Sequence, residues 1–181
     1  MDVKLGTGRA TGMFYHAPAG TALPEYPAAT LGNAWVEVGD VTDTGITLAT
    51  DKSVTNLRNW ANVIKRVIMT EHAETIQSPI MDTTEESLKT VVGAENVTTL
   101  AAQTGTHGKI VNVNLSAGRL PEPEAFLWVM KDGDSLIAIG CTNGQVTAVE
   151  NVSFSPGSAI TWTPTITAMG DGLQLIMDEG E

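Results

Sequence analysis

The sequence predicts a predominantly β domain with one short helix. Three observations predict it: Thr, Val and Gly are frequent while helical periodicity is scarce, apolar and polar residues alternate in several short stretches, and one stretch has the spacing of an amphipathic helix. At 181 residues, the chain is expected to form one domain, large enough to bury a sizeable core.

The clearest strand prediction covers residues 159–169, where threonines alternate with apolar residues. Such alternation is typical of a strand with one buried and one polar face. Pro164 within this stretch favours an edge position or a bulge, because proline cannot donate to the strand ladder. Weaker alternations at 111–115 and 146–154, and a short candidate at 13–16, predict further strands.

A hairpin is predicted in the middle of the core. Residues 125–130 and 136–139 are continuously apolar, and the Asp-Gly pair at 132–133 between them is a hairpin turn signal. The Asn-Gly pair at 143–144 predicts a second turn shortly afterwards.

One helix is expected over about 83–92. Asp82 or Thr83 would cap it, and Thr83 has the spacing of a capping box with Glu86. Gly93 suits the left-handed position after a helix end. The apolar stripe of this helix consists of Leu88, Val91 and Val92. A helix this short is stable only when it packs on a sheet.

Composition disfavours several functions. The chain has 10 Lys and Arg against 21 Asp and Glu, a net charge of −11. This balance opposes binding to nucleic-acid phosphates and to anionic membranes. Cys141 is the single cysteine, so no intramolecular disulfide is expected. Neither a secretory signal nor an apolar stretch of about 18 residues is seen, so folding in the cytoplasm is expected.

No catalytic, cofactor or metal site is predicted. His16, His72 and His107 are far apart and lack the spacing of metal ligands. Cys141 has no surrounding signature of a nucleophile, and no serine lies in a Gly-x-Ser-x-Gly elbow. The glycine-rich segment 6–12 resembles a nucleotide-binding loop only superficially, because no strand precedes it and no helix follows.

Residues 35–93 carry a resemblance to a known family. The stretch begins with WVEVG at 35–39, continues through GITL at 45–48 and Asn-Trp at 59–60, and ends with VIKRVIMTEHAETIQSPIMDTTEESLKTVVG at 63–93. This order of elements resembles the major tail tube proteins of long-tailed phages, especially those that infect actinobacteria. The strands predicted over 107–169 are similar to that family in kind and length.

The resemblance implies a fold of two packed β-sheets, a sandwich or partial barrel, flanked by the one helix. Residues 1–181 would be a single tail-tube domain with an N-terminal arm at about 1–30 and a long assembly loop at about 40–60. Six copies would close into a ring, and stacked rings would form a hollow tube through which phage DNA passes into the host. The chain would be made in the host cytoplasm and lie in the virion tail.

The resemblance also implies partners and interface residues. The partners would be further copies of the chain and other tail proteins, such as the tape measure, terminator and distal tail proteins. DNA would pass without sequence-specific binding, and no cofactor or membrane would be involved. Val54, Leu57 and Trp60 are candidate subunit contacts, since apolar side chains on a polar arm need a pocket. Packing of Trp60 on its own sheet is an equal alternative. Glu71 and Glu74 are candidate lumen-facing residues, because carboxylates repel phosphate.

Three alternatives remain open. A tail terminator, a head–tail connector or the tube of a contractile or tail-like particle would share the fold. A carbohydrate-binding β-sandwich could use Trp35, Trp60, Trp128 and Trp162 as a stacking platform, although Trp128 and Trp162 lie on apolar strand faces. An enzyme is the least favoured, because no convergent catalytic motif is present.

Overall fold

The structure, a computed structural model, describes residues 7–8, 14–116, 118–132 and 134–178. It is mainly β, as predicted. The strands are β1 (Thr7–Gly8), β2 (Phe14–Pro18), β3 (Val36–Gly39), β4 (Thr47–Arg58), β5 (Ile64–Gln77), β6 (Val97–Leu100), β7 (Ile110–Val113), β8 (Glu124–Asp132), β9 (Ser135–Val149), β10 (Pro164–Ala168) and β11 (Gln174–Asp178). The helix α1 spans Glu85–Val92, and one turn of 3-10 helix follows at Ala94–Asn96.

Nine of these strands form one antiparallel sheet. Seven of them lie side by side in the order β3-β2-β8-β9-β10-β5-β4, so β3 and β4 are the outer strands. The remaining two, β1 and β11, pair with β8 and β9 respectively. A second, two-stranded sheet consists of β6 and β7. No helix within the described ranges is long and apolar enough to cross a membrane.

Aromatic rings fill the centre of the main core. Phe14 and Trp128 stack with ring centroids 4.8 Å apart, and the indole Nε1 of Trp128 donates a hydrogen bond of 2.9 Å to Oγ of buried Ser78. Leu88 from α1 and Val97 from the small sheet belong to the same buried cluster. The predicted arrangement, two packed sheets with one short helix, is therefore confirmed.

The segment expected to form an N-terminal arm includes a strand that overlaps the one predicted at 13–16. Residues 14–18 form β2, which pairs with β3 on one side and β8 on the other. Leu23 packs on a second cluster, on Leu127 and its neighbours. These apolar side chains find partners in the body of the domain, which glycine and proline content alone does not reveal. Residues 1–6 and 9–13 of the expected arm lie outside the described residues.

The helix begins one residue later than its sequence suggests. Thr84 is the N-cap, and its Oγ1 accepts a hydrogen bond of 3.2 Å from the backbone N of Ser87. The Ser87 hydroxyl in turn accepts one of 2.8 Å from the backbone N of Thr84, which completes a capping box. The predicted cap, Thr83, has another role: its Oγ1 accepts a hydrogen bond of 3.1 Å from Trp162 Nε1.

The turn predicted at 143–144 is wrong, because both residues lie within the long strand β9. A Cβ built on Gly144 would lie 2.8 Å from Sγ of Cys141 and about as close to the side chains of Phe126 and Ile166. Glycine is therefore needed here for close packing and not for a turn. The predicted hairpin is present, since β8 ends at Asp132 and pairs with β9 from Ser135 onward, while Gly133 of the predicted turn lies outside the described residues.

The strand predicted over 159–169 is shorter in the structure, where β10 covers only its second half. Pro164 is the first residue of β10, a position that requires no ladder donor. The predicted irregularity is present as a register shift between Thr165 and Ile166, although β10 is an interior strand and not an edge.

Candidate assembly surface

The hairpin of β4 and β5 projects from the sheet. Its residues, 47–77, are called the arm. The two strands pair along their full lengths, from Thr47 with Gln77 to Arg58 with Ile64. Every residue of β4 is exposed, and so are the first ten residues of β5. At about 3.4 Å per residue, a strand of this length spans about 40 Å.

The segment expected to be a long assembly loop, residues 40–60, contains the first strand of the arm. Residues 47–58 form a strand that pairs only with β5 within the described chain. Both faces of this strand are exposed, so its sequence lacks the alternation by which half-buried strands are recognised.

The arm separates from the sheet at Glu74. The last residues of β5, from Thr75 to Gln77, still pair with β10. At the point of departure Oε2 of Glu74 accepts a hydrogen bond of 2.6 Å from the backbone N of Leu173, and Oε1 lies 3.3 Å from Nε2 of His72. The carboxylate of Glu74 therefore ties the base of the arm to the segment between β10 and β11.

Exposed apolar side chains are concentrated on the arm. Of the twenty large apolar residues that are exposed in the described chain, nine belong to these 31 residues. They are Leu48, Val54, Leu57, Trp60, Val63, Ile64, Val67, Ile68 and Met69. A monomer rarely exposes so many large apolar side chains in one segment unless the segment belongs to an interaction surface.

Two bulges determine which of these side chains share a face. The pairing passes from Ser53–Glu71 to Val54–Met69 and later from Leu57–Arg66 to Arg58–Ile64, so Thr70 and Lys65 are extra residues in β5. Side chains that pair directly lie on the same face. Near the end of the arm, one face carries most of these side chains: Val54, Ile64, Val67 and Met69. These four residues are called the apolar strip.

The three predicted contact residues lie in the arm, in different positions. Val54 is part of the apolar strip, whereas Leu57 is on the opposite face. Trp60 is in the turn at the tip, where its exposure of 105% excludes packing on its own sheet. The turn is held by Asn59, whose Oδ1 accepts a hydrogen bond of 2.9 Å from the backbone N of Val63.

The end of the arm, residues 52–70, carries a charge opposite to that of the chain. Residues 52–70 contain four cationic residues and no acidic residue. The other 162 residues have six cationic and 21 acidic residues, a net charge of −15. The cations are Lys52, Arg58, Lys65 and Arg66. This distribution favours contact between the end of the arm and the body of another copy.

The two carboxylates proposed for the lumen point to opposite faces of the arm. Glu71 pairs with Ser53 and is exposed, on the same face as Asp51. Glu74 pairs with Thr50 on the other face and is tied to Leu173. A channel on one side of the arm would therefore meet only one of them.

The four tryptophans do not form a stacking platform. Trp128 is fully buried, Trp162 is 6% exposed and Trp35 is half-buried, which leaves Trp60 as the exposed one. Burial raises the pKa of the Cys141 thiol to about 11, so at neutral pH it is not a thiolate nucleophile. The described residues contain no group of three or more His, Cys, Asp or Glu that could hold a metal ion.

Comparison with known proteins identifies the family. The family described as phage tail tube protein matches residues 8–177. The cap of an anti-feeding prophage, a tube-terminating cap solved by cryo-electron microscopy, is similar in structure, with a TM-score of 0.48 and 13% sequence identity over 98% of this chain and 97% of that chain. No protein with a curated description matches. The family match spans nearly the whole chain and confirms the family-level resemblance carried by residues 35–93: the chain belongs to the phage tail tube protein family.

Proposed function

We propose that this chain is the repeating subunit of the tube, with six copies per ring and rings stacked around a channel for DNA. Family membership makes it a structural protein of the phage tail. The ring, its stacking and the contacts with tape measure, terminator and distal tail proteins are the parts proposed here. Assembly in the host cytoplasm belongs to the same proposal.

The observation that carries the proposal is the exposed arm. An isolated two-stranded hairpin is at best marginally stable in water, and this one lacks a core of its own. Its nine exposed large apolar side chains need a surface to cover them. In a homopolymer, each subunit has a neighbouring copy that can cover its arm. The arm of a single chain is therefore uncovered.

The free strand edge supports the same conclusion. In the described part of the chain, β4 pairs only with β5, so its outer edge leaves backbone donors and acceptors unpaired over 12 residues. Soluble proteins usually block such edges because they promote association. Contacts between different surfaces of identical copies generate rings when the rotation closes.

The proposed lumen residue is Glu71, not Glu74. The face of Glu71 also carries Asp51 and has mostly polar side chains near the middle of the arm. Carboxylates on a channel wall repel DNA phosphates, which lets DNA move without adhering. Glu74 instead stabilises the arm base through Leu173.

Negative-stain electron microscopy of the purified chain, with its mass in solution over a range of concentrations, tests the proposal. Hollow tubes built of six-subunit rings are expected. A single closed ring that never stacks would indicate a terminator or connector instead. Monomers alone, even at high concentration with tail initiator complexes added, would refute the tube function.

A further inference from the structure

An apolar socket lies at the edge of the sheet opposite the arm. This open pocket has a volume of about 460 Å³ and is formed by the end of β2, the start of β3 and the residues before β8. Its apolar wall consists of Ala17, Pro18, Ala19, Ala34, Val36 and Pro123. Val36 is 40% exposed, so part of this wall is in contact with water in the isolated chain.

Carboxylates surround the socket. Glu122 and Glu124 line it, and among the residues that the structure describes no lysine or arginine does. Nδ1 of His16, another lining residue, is 3.0 Å from Oε2 of Glu124. Glu86 is not a lining residue: its Oε2 lies 3.8 Å from Nε2 of the same ring, and its Oε1 is paired with Nζ of Lys89 at 2.9 Å. The site therefore suits an apolar group that carries positive charge beside it.

The tip of the arm has this chemistry. Trp60 is fully exposed and is preceded by Arg58, while Lys65 and Arg66 lie a few residues further along the hairpin. Tryptophan is the side chain most often found to dominate an interface when it fills a pocket. Another apolar groove, near Leu115, has Arg119 in its lining and matches the cationic tip less well.

The positions of the tip and the socket favour contact between copies. The socket is formed by β2 and β3 at one end of the sheet and the arm by β5 and β4 at the other, with three strands between them. Because Trp60 is fully exposed, the arm does not fill the socket of its own chain. Two complementary surfaces at opposite ends of one subunit produce a head-to-tail contact that repeats with every added copy.

We propose that Trp60 of one copy inserts into this socket of the next copy, with the arm cations facing Glu122 and Glu124. The inference rests on the proposed function, since it requires that copies of the chain assemble. It adds the contact by which they recognise each other and makes assembly sensitive to salt, because the charges involved are at the surface.

Two substitutions test the contact from its two sides. Trp60→Ala removes the inserted side chain, and Ala34→Trp fills the socket from an exposed position. Each is expected to raise the concentration required for assembly by about 30-fold or more, which corresponds to the loss of a hot-spot residue. Ala102→Trp, at an exposed position that does not line the socket, is the matched control and leaves assembly unchanged.

Disulfide cross-linking tests proximity directly. A chain with Ala61→Cys, next to the intact Trp60, is mixed under mild oxidation with a chain carrying Ala19→Cys in the socket wall. A disulfide-linked heterodimer is expected, while the same tip paired with Ala102→Cys gives none. The native Cys141 is buried and does not interfere. Equal yields in the two mixtures would overturn the proposal.

Charge exchange provides a further criterion. Glu122→Lys is expected to weaken assembly about tenfold, and Lys65→Glu in the same chain to restore it, as for a close surface pair. If wild-type tubes form and Trp60→Ala forms them equally well, the socket contact is wrong while the tube function stands. If Trp60→Ala abolishes binding to a labelled DNA duplex but not assembly, the tip contacts DNA and the proposal fails.

Discussion

Replacing three of the four side chains of the apolar strip, while the arm stays folded, separates assembly from folding. The triple variant Val54→Thr, Ile64→Thr and Val67→Thr retains β-branched side chains, so the hairpin keeps its strand propensity. These side chains are 56%, 45% and 56% exposed in the single chain, so about half of each is left for a neighbour to bury. At about 1.5–3 kcal/mol for complete burial, the loss is about 1 kcal/mol per residue and about 3 kcal/mol in total.

This loss predicts a shift in the concentration at which assembly begins. About 3 kcal/mol corresponds to about a hundredfold increase in that concentration, because each added subunit forms one such contact. The free energy of unfolding of the monomer should change by less than about 1 kcal/mol, as is usual for exposed positions. Sedimentation of assembled from free protein over a dilution series measures the first quantity, and urea unfolding measures the second.

A matched control removes similar apolar surface elsewhere. Leu100 and Ile110 pair across the small sheet and are 57% and 43% exposed, and Leu115 is 66% exposed. Replacing all three by threonine should leave the assembly concentration within about twofold of the wild type, a difference well below 1 kcal/mol. If the control is impaired as much as the arm variant, or the arm variant assembles like the wild type, the strip is not the interface.

Three further predictions concern the body of the domain. The Lys109 ammonium, bonded to Glu85, lowers the pKa of the Glu85 carboxyl from 4.5 to about 2. The ionised carboxyl therefore stabilises the fold fully above pH 4.5, and this stabilisation is lost as the pH falls towards 2. The urea midpoint of Glu85→Gln should accordingly change less between these two pH values than that of the wild type. Trp128→Phe should lower the free energy of unfolding by about 2–3 kcal/mol, measured by thermal or urea unfolding, because the buried Ser78 hydroxyl loses its partner. Adding Ser78→Ala should recover part of this loss. Cys141, with its pKa raised to about 11 by burial, should react with a thiol reagent at pH 8 only after unfolding, and rapid labelling of the native chain would contradict this.

Local patterns were sufficient for the elements that pack against the body. Helix α1 was predictable because its apolar residues follow helical spacing and cap-forming residues precede them. The observed cap, Thr84, is next to the expected one. The hairpin of β8 and β9 was predictable because two apolar runs flank an Asp-Gly turn. Each pattern reflects burial within the same chain.

The arm was harder to predict because its structure depends on its partner strand and not on burial. Val54, Leu57 and Trp60 were identifiable one by one as apolar residues in a polar segment. Which side chains of β5 lie beside them on each face depends on the bulges at Thr70 and Lys65, and neither residue has a distinctive sequence signal. The socket was also hidden, since its residues come from three segments that only the sheet order brings together.

The bulges make the two edges of the arm different. Both extra residues, Thr70 and Lys65, are in β5, so the outer edge of β5 is interrupted twice while that of β4 presents an even succession of peptide groups. An incoming strand therefore finds a continuous partner on one side of the ribbon and a broken one on the other. If copies of the chain add strands to the arm, addition at β4 is therefore favoured over addition at β5, so the ribbon has one preferred side for growth.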